Sequence, residues 1–160
     1  MTLSDYTLRR ADHPDAKTIT GHRRAMFSDM GYDEESLDPM SVHFLAWVKP
    51  RLSNGEYLSW LAVAPNGSVA AGMGLWLMDW PPPMVGPDVR RANIVNVYTE
   101  RGHRRLGLAR LLMNTALDWC RENGIRTVIL HASLEGRSLY ESLGFLPTNE
   151  MRLMLTKPES

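Results

Sequence analysis

The length and composition of the chain favour one small globular domain. It has 160 residues, of which 44% are hydrophobic, and its 18 basic and 18 acidic side chains balance to zero formal charge. A domain of this size buries about 68–70% of its unfolded surface, so it needs neither disulfides nor a structural metal. Cys120 is the only cysteine, which excludes a disulfide framework and a zinc site with several thiolates. A neutral chain with 22% charged residues is also unlike a disordered protein or one whose whole surface binds nucleic acid.

The N-terminus and the apolar segments predict a soluble cytoplasmic protein. The first five residues show no basic segment followed by an apolar run, so no signal peptide is evident. Polar residues interrupt each apolar stretch well before the roughly 20 residues that span a bilayer. Charge is uneven, however: residues 1–80 carry 7 basic and 10 acidic side chains, whereas residues 81–160 carry 11 and 8. The segment from Arg90 to Arg110 holds six arginines and one acid, Glu100.

The N-terminal region predicts a short strand and two helices. The strand covers residues 6–10, and the first helix runs from the start signal at residues 12–15 to about Met30. Proline and acids suit a first helical turn, where the backbone amides are free and the dipole is positive. A second helix is expected over residues 39–48. It should end there because Pro50 disfavours the helical conformation of the residue before it.

The middle of the chain predicts a β-hairpin and a further strand. Residues 57–64 and 68–80 form the hairpin around Pro65-Asn66-Gly67, a strong turn signal. The prolines at 81–83 end the second strand because proline cannot donate to a sheet ladder. After a loop, residues 92–99 form the next strand.

The C-terminal half alternates between helices and strands. A helix over residues 108–123 has its apolar side chains on one stripe and ends at Gly124. The stripe consists of Leu108, Leu111, Leu112, Thr115, Ala116, Trp119 and Cys120. A buried strand follows at 127–132, then a short helix over about 135–144. Residues from 145 onward and 151–155 are expected to form a closing pair of strands. The order of elements predicts a single mixed α/β domain.

The segment from Arg101 to Ala109 has the chemistry of a phosphate-binding site. It joins a predicted strand to a helix, and the start of a helix presents unpaired amides at its positive end. Gly107 and Ala109 are small enough for an anion to approach the backbone closely. Arg104 and Arg105 add charge-assisted donors that suit phosphate.

Two familiar nucleotide-binding motifs do not match this segment. Gly102 and Gly107 have the spacing of P-loop glycines, but Leu108 and Ala109 stand where Lys and Ser or Thr should follow. The Rossmann glycine fingerprint is absent as well. Gly72 and Gly74, in the middle of a predicted strand, indicate a bulge or close packing instead.

Two motifs resemble those of the GNAT superfamily of acetyl-CoA-dependent N-acetyltransferases. Arg104-x-x-Gly107-x-Ala109 is similar to its Arg/Gln-x-x-Gly-x-Gly/Ala signature, and residues 139–145 are similar to its Leu-Tyr-x-x-x-Gly-Phe segment. The resemblance covers about residues 6–155 and implies one domain over residues 1–160. It implies an α/β GNAT-like fold, with a mixed twisted sheet of about six to seven strands flanked by about four helices. It also implies acetyl-CoA as co-substrate and no metal.

The resemblance assigns residues that bind acetyl-CoA. In the family, the strand before the signature splays from its neighbour and pairs with the pantetheine arm, which implies backbone contacts from Val97 and Thr99. The backbone that would hold the pyrophosphate is Arg104, Arg105, Leu106, Gly107, Leu108 and Ala109. Ser133 and Gly136 stand where relatives often have Asn and Ala. Ser133 keeps a short hydrogen-bonding side chain and could equally cap the following helix.

By the same resemblance, Tyr140 is the general acid that protonates the departing thiolate. A phenol with a pKa near 10 is a reasonable match for a thiolate near 8.5. The alternative for Tyr140 is an aromatic packing residue. No base is assigned: Glu100, Asp79 and His131 are candidates, but each has an ordinary reading as an arginine partner, a turn residue and a core histidine, respectively. Ordered water is the alternative route for the amine proton.

The N-terminal half is expected to select the acceptor, a small-molecule or peptide amine. Five acids between Asp29 and Asp38 either steer a cationic amine or form a solvated loop. Four tryptophans could line a pocket but are more often core, and none is assigned: Trp47, Trp60, Trp76 and Trp80. Cys120 is expected to be buried packing.

Other functional classes stay open at this stage. The main alternative is a non-catalytic acyl-CoA-binding or sensing module, which the presence of Tyr140 disfavours. Nucleic-acid binding through the arginines is disfavoured because few exposed aromatics are predicted beside them. No membrane partner is expected, and residues 151–155 could pair across a sheet edge in a homodimer.

Overall fold

The fold is a five-stranded sheet with helices on both faces, as given by a computed structural model that describes residues 1–87 and 89–156. The strands are β1 (Thr7–Arg10), β2 (Tyr57–Val63), β3 (Val69–Asp79), β4 (Arg90–Thr99) and β5 (Val128–Leu130). They lie in chain order across the sheet. The first three neighbouring pairs are antiparallel, and β4 and β5 are parallel. The predicted α/β class is confirmed, with fewer strands than expected.

The helices are α1 (Ala16–Asp29), α2 (Glu34–Asn54), α3 (Leu108–Glu122) and α4 (Arg137–Ser142), and short 3-10 turns precede β1, α1 and α3. One core forms between the sheet and α3, where Leu112 and Ala116 are fully buried. A second core, around Tyr57, packs α1 and α2 on the other face. None of these helices is both long and apolar enough to cross a membrane among the described residues.

The predicted bounds of the second helix are wrong at both ends. The helix begins earlier because the Asp33 carboxylate accepts a hydrogen bond from the Ser36 amide (2.9 Å) and caps it. It also continues through Pro50 to Asn54. Val48 before the proline and Leu52 after it both pack into the second core. This burial offsets the roughly 3 kcal/mol that an internal proline costs a helix.

The predicted closing strands are also wrong for the residues that the structure describes. Residues 145–156 form no strand, and the last predicted strand residue before them, Ala132, lies beyond the end of β5. Met151 and Leu155 are 94% and 90% exposed. Apolar composition alone predicted strands here, but a strand also needs a partner edge with matching length. Pairing of two chains through this segment stays a prediction.

Candidate functional site

A wide cleft opens where β4 and β5 separate. β5 pairs with β4 only from Ala92 to Ile94, while β4 continues to Thr99. The Glu100 amide donates to the Ala70 carbonyl of the neighbouring segment (2.8 Å). Because backbone groups alternate sides along a strand, those of Thr99 point away from β3. The cleft therefore exposes a strand edge that an extended ligand could join.

A bulge at Asn96 gives β4 its shape at this point. Asn96 has a positive φ of 58° and is buried, and the register with β3 shifts opposite it, between Gly72 and Gly74. Val95 consequently packs with the α2 core while Val97 packs with the α3 core, although residues two apart normally share a face. The bulge thus turns the second half of β4 toward the cleft.

The turn between β4 and α3 presents backbone amides to the same cleft. Arg105 and Gly107 have positive φ values of 63° and 88°, and α3 begins directly afterwards at Leu108. The first four amides of a helix have no partner inside it, and the dipole there is positive. The predicted segment from Arg104 to Ala109, named the anion-binding turn for this property, therefore has a shape and charge that suit an anion.

The arginines in and just before this turn differ in their contacts. The Arg104 guanidinium donates to the Thr99 carbonyl (2.9 Å) and to the Asp29 carboxylate (2.7 Å), which also accepts from Arg101 (2.9 Å). Hydrogen bonds from Arg104 and then Arg101 lower the pKa of Asp29. Arg104 therefore holds the turn against α1, whereas the exposed Arg105 guanidinium has no ion-pair partner among the described residues.

Tyr140 lines the cleft from α4. Its ring is half-buried and meets Phe145 edge to face, with 6.1 Å between the ring centroids. Burial raises the pKa of the phenol above its usual value of 10. The phenol is protonated at neutral pH, and the raised pKa makes it a weaker acid than a free phenol.

Ser133 lies at the cleft wall but its hydroxyl already has a structural partner. The oxygen accepts a hydrogen bond from the Gly136 amide (3.1 Å), in the turn that leads into α4. Ser133 therefore closes the turn before α4 but does not cap the helix, whose N-cap residue is Gly136. A hydroxyl can still donate one hydrogen bond while it accepts another.

The three candidate bases lie in different places. Glu100 does not line the cleft; its carboxylate is 3.9 Å from the Nε2 atom of His22 on the far side of β4. Asp79 is exposed at the end of β3. His131 lines the cleft, but its side chain is 67% exposed, so the expectation of a core histidine is wrong.

The acids before and within α2 are mostly occupied by structural contacts. Asp33 caps the helix, and Glu34 and Asp38 both pair with Arg24. With Asp29 held by two arginines, four of the five acids have partners. This arrangement weakens the idea that they steer a cationic amine.

The four tryptophans divide between different surfaces. Trp47 and Trp76 line the cleft and meet edge to face at 5.4 Å. Trp60 packs against Trp119 in the α3 core. Trp80 is exposed, and the Arg91 guanidinium stacks over its ring with the central carbon 4.0 Å from the ring centroid. Two of the four thus contribute to the apolar wall of the cleft.

Sequence reasoning missed a polar cluster opposite the anion-binding turn. The Asn96 side chain donates to the hydroxyl of the buried Tyr57 (2.9 Å) and accepts from Nη1 of Arg23 (2.8 Å). Burial raises the pKa of Tyr57 and lowers that of Arg23. The one signal in the sequence was Gly74, a glycine in the middle of a predicted strand. The structure gives its reason, because a Cβ at this position would lie 1.8 Å from the Tyr57 oxygen.

The cleft has a volume of about 1490 Å³ and combines these features. Its lining includes the free end of β4, the start of α3, Tyr140, Arg23 and the aromatic wall of α1 and α2. No group of three or more metal-ligating side chains occurs within residues 1–87 and 89–156. The volume suits a large ligand with both an anionic end and an apolar end.

Comparison with known proteins agrees with this geometry. The model of the acetyltransferase (GNAT) family matches residues 20–145. The crystal structure of a GCN5-related N-acetyltransferase from Ralstonia eutropha shares 35% identity, with a TM-score of 0.88, and the match covers 94% of this chain and 98% of that one. A predicted acetyltransferase from Clostridium acetobutylicum, crystallised with acetyl-CoA, shares 25% identity at a TM-score of 0.85 and covers 93% and 95%.

A curated human relative matches more locally. N-acetyltransferase 8 of Homo sapiens is 33% identical over 73 residues, which are 42% of this chain and 32% of that protein. The chain therefore spans about a third of the length of this relative. The splayed strands, the anion-binding turn and the match across residues 20–145 lead to one conclusion: the chain belongs to the GNAT family of acetyltransferases, which use acetyl-CoA as co-substrate.

Proposed function

We propose that this chain is an N-acetyltransferase that moves the acetyl group of acetyl-CoA directly to an amine. The observation that carries the proposal is the convergence of three features in one cleft. These are an unpaired edge of β4, an amide-rich start of α3 and the protonated phenol of Tyr140. Acetyl-CoA would supply the activated acetyl thioester.

The binding of acetyl-CoA is assigned to backbone groups first. Val97 and Thr99 would pair with the pantetheine arm along the free edge of β4, as an added strand does. The amides of Arg105, Leu106, Gly107, Leu108 and Ala109 would hold the pyrophosphate, with the Arg105 guanidinium as an added cation. Arg104 would act by holding the turn in place, and Ser133 would donate from the opposite wall.

Tyr140 would complete the transfer by protonating the CoA sulfur. The amine nitrogen forms a bond to the acetyl carbon, the bond from that carbon to sulfur breaks, and the phenolic proton goes to the thiolate. The amine loses its proton to water in the cleft, and Tyr140 regains one from solvent. No side chain is assigned as the base, because His131 is the one candidate that lines the cleft and it is largely exposed.

The test is thiol release from acetyl-CoA across a panel of amines. We expect Tyr140→Phe to lower kcat about 10²-fold, since general acid catalysis contributes about that much. The affinity for acetyl-CoA should change little, because the phenol acts on the leaving group. Tyr32→Phe is the matched control, since Tyr32 is exposed and outside the cleft lining.

Two results would overturn parts of the proposal. Equal turnover by the wild type and Tyr140→Phe would show that Tyr140 is a packing residue. Tight acetyl-CoA binding without thiol release for any amine would instead favour the non-catalytic binding or sensing module. RNA binding that persists at saturating acetyl-CoA with a steep salt dependence would indicate a separate role for the arginines.

A further inference from the structure

Arg23 has an unusual environment for a charged side chain. Its guanidinium lies between the rings of Phe27 and Phe44, with its central carbon 4.9 Å from each ring centroid. One nitrogen, Nη1, donates to Asn96. The Nε atom is buried without a hydrogen-bond partner. The third nitrogen, Nη2, has no hydrogen bond and no ion pair with the described residues, so this guanidinium has no counter-charge.

The missing ligand is an anion. Among residues 1–87 and 89–156, no carboxylate pairs with Arg23, and the acids of this region are held by other arginines. Burial lowers the pKa of Arg23, but an arginine stays protonated at any physiological pH. Because Asn96 uses Nη1 and Nε is buried away from the cleft, Nη2 is the nitrogen left to bind a ligand. A guanidinium nitrogen binds a carboxylate with a charge-assisted hydrogen bond.

The position of Arg23 places such an anion at the reacting end of the cleft. Asn96, its partner, is the bulge residue of β4, close to the point where β4 and β5 separate. The anion-binding turn that suits the CoA phosphates lies beyond the opposite end of the free edge, after Thr99. The two positive sites therefore serve different groups. Asn96 is itself fixed by its hydrogen bond to the fully buried Tyr57.

The wall around Arg23 is apolar. Phe27, Phe44, Trp47 and Trp76 line this part of the cleft, together with Met40. Polyamines and aminoglycosides are unsuited to it, because a fixed guanidinium repels additional positive charges. An acceptor with one amine, one nearby anion and an apolar group fits both the charge and the wall.

Given the proposed acetyl transfer, on which this inference rests, we infer that the acceptor is an apolar amino acid whose carboxylate binds Nη2 of Arg23. The aromatic wall holds its side chain. The carboxylate lies two bonds from the amine in such a molecule, so binding the first positions the second.

The test uses acceptors that differ only in the carboxylate. Phenylalanine is compared with phenethylamine and phenylalaninamide, and leucine with isoamylamine, as substrates of the wild-type protein. We expect kcat/KM to be about 10²-fold higher for each amino acid, as charge-assisted hydrogen bonds commonly contribute that much. Equal or faster transfer to the amines that lack the carboxylate would overturn the inference and leave the acetyltransferase function intact.

The residue is tested with Arg23→Gln, and Arg24→Gln is the matched control. Arg24 is its neighbour on α1 but pairs with Glu34 and Asp38 and does not line the cleft. The ratio of kcat/KM for the amino acid to kcat/KM for the amine without a carboxylate should fall to about threefold or less in Arg23→Gln. The wild-type ratio should persist in Arg24→Gln. If Arg23→Gln does not fold, Arg23→Met also removes the charge while it keeps an apolar stem between the aromatic rings, and the preference should again fall to within about threefold. A preference that persists in folded variants of Arg23 would overturn the assignment.

A binding measurement separates this inference from the proposed reaction. The CoA-saturated protein is titrated calorimetrically with N-acetylphenylalanine and with N-acetylphenethylamine. We expect the first to bind about 10²-fold more tightly, with the difference lost in Arg23→Gln. Tighter binding of N-acetylphenylalanine by a protein that releases no thiol from acetyl-CoA with any amine would support the carboxylate site and count against acetyl transfer. Binding of neither probe, or equal binding of both, would overturn the carboxylate site.

Discussion

The two halves of the cleft are built in different ways. The backbone groups assigned to acetyl-CoA belong to one run of the chain, from the free end of β4 through the turn at Arg105 and Gly107 into α3, and Ser133 and Tyr140 are added from a second segment. The side assigned to the acceptor joins Arg23 of α1, Tyr57 of β2 and Asn96 of β4. A ligand whose chemistry is the same throughout a family, such as acetyl-CoA, can be bound by one continuous motif. The acceptor differs between relatives, and here its side of the cleft is formed by side chains that only the fold brings together.

Asp29 connects these two halves. It lies at the end of α1, the helix that carries Arg23, and pairs with Arg104 of the anion-binding turn and with Arg101 just before that turn. The contact is largely exposed, so it contributes little to the free energy of unfolding. Its effect is to hold α1 beside the turn.

The largest expected effect is that of Gly74→Ala, a substitution that should disturb the acceptor side of the cleft and leave the acetyl-CoA side intact. In Gly74→Ala, the added Cβ would lie 1.8 Å from the Tyr57 oxygen, so the buried ring must move and Asn96 loses its partner. We expect the free energy of unfolding to fall by about 3 kcal/mol, measured by urea denaturation. The preference for carboxylate acceptors should fall as well, while the Kd of acetyl-CoA stays near the wild-type value.

Gly21→Ala is the control for this substitution. Gly21 lies inside α1, and no atom lies within 4 Å of an added Cβ. Replacing a glycine within a helix should raise the free energy of unfolding by about 0.5–1 kcal/mol. Equal stability of the two variants would show that the packing of Tyr57 against Gly74 does not organise the acceptor side.

The next largest effect concerns the pH dependence of stability and comes from α1, the helix that carries Arg23 to the acceptor side. Burial lowers the pKa of His22, which precedes Arg23 on α1, to about 4; the Tyr98 ring at 5.4 Å and Glu100 at 3.9 Å face it. The unfolded chain binds a proton near pH 6.5 and the folded chain does not, so stability is present above pH 6.5 and is lost toward pH 4. We expect a loss of roughly 2–3 kcal/mol between pH 6.5 and pH 4.5.

Urea denaturation at several pH values measures this effect. His22→Gln should flatten the dependence over that interval, because glutamine does not titrate. Carboxylates with lowered pKa values, such as Asp15 and Asp29, lose their contributions only at lower pH. An unchanged slope in the variant would assign the pH dependence to other groups.

The smallest expected effect lies on the acetyl-CoA side. Gly107→Ala places a side chain at a φ of 88°, which costs a residue with a Cβ about 1–2 kcal/mol. If the turn relaxes to avoid this cost, its amides move and the Kd of acetyl-CoA rises about 10-fold, as measured by calorimetry. Gly102→Ala, with no atom within 4 Å of its added Cβ, should leave the Kd unchanged. Equal Kd values would contradict the role of the Gly107 conformation.

Local patterns predicted several elements well and failed where distant packing decided. The hairpin at 57–79 and the amphipathic α3 follow from a turn signal and an apolar stripe, both of short range. The extension of α2 through Pro50 depends on the burial of Val48 and Leu52 in a core formed with other elements. Residues 151–155 have the composition of a strand but form none, because sheet pairing needs an edge as well as a pattern.

The sequence by itself determined the family and the position of the anion-binding turn, because Arg104, Gly107 and Ala109 are neighbours whose spacing is preserved in any fold. The sequence also identified Tyr140, because the motif at residues 139–145 consists of residues close together in the chain. Only the tertiary structure showed that Arg104 is occupied by Asp29 and Thr99. It likewise brought Arg23 to Asn96 without a carboxylate partner among the described residues. The contact of Arg23 with Asn96 joins residues 73 positions apart and that of Arg104 with Asp29 joins residues 75 apart, and no local pattern encodes either.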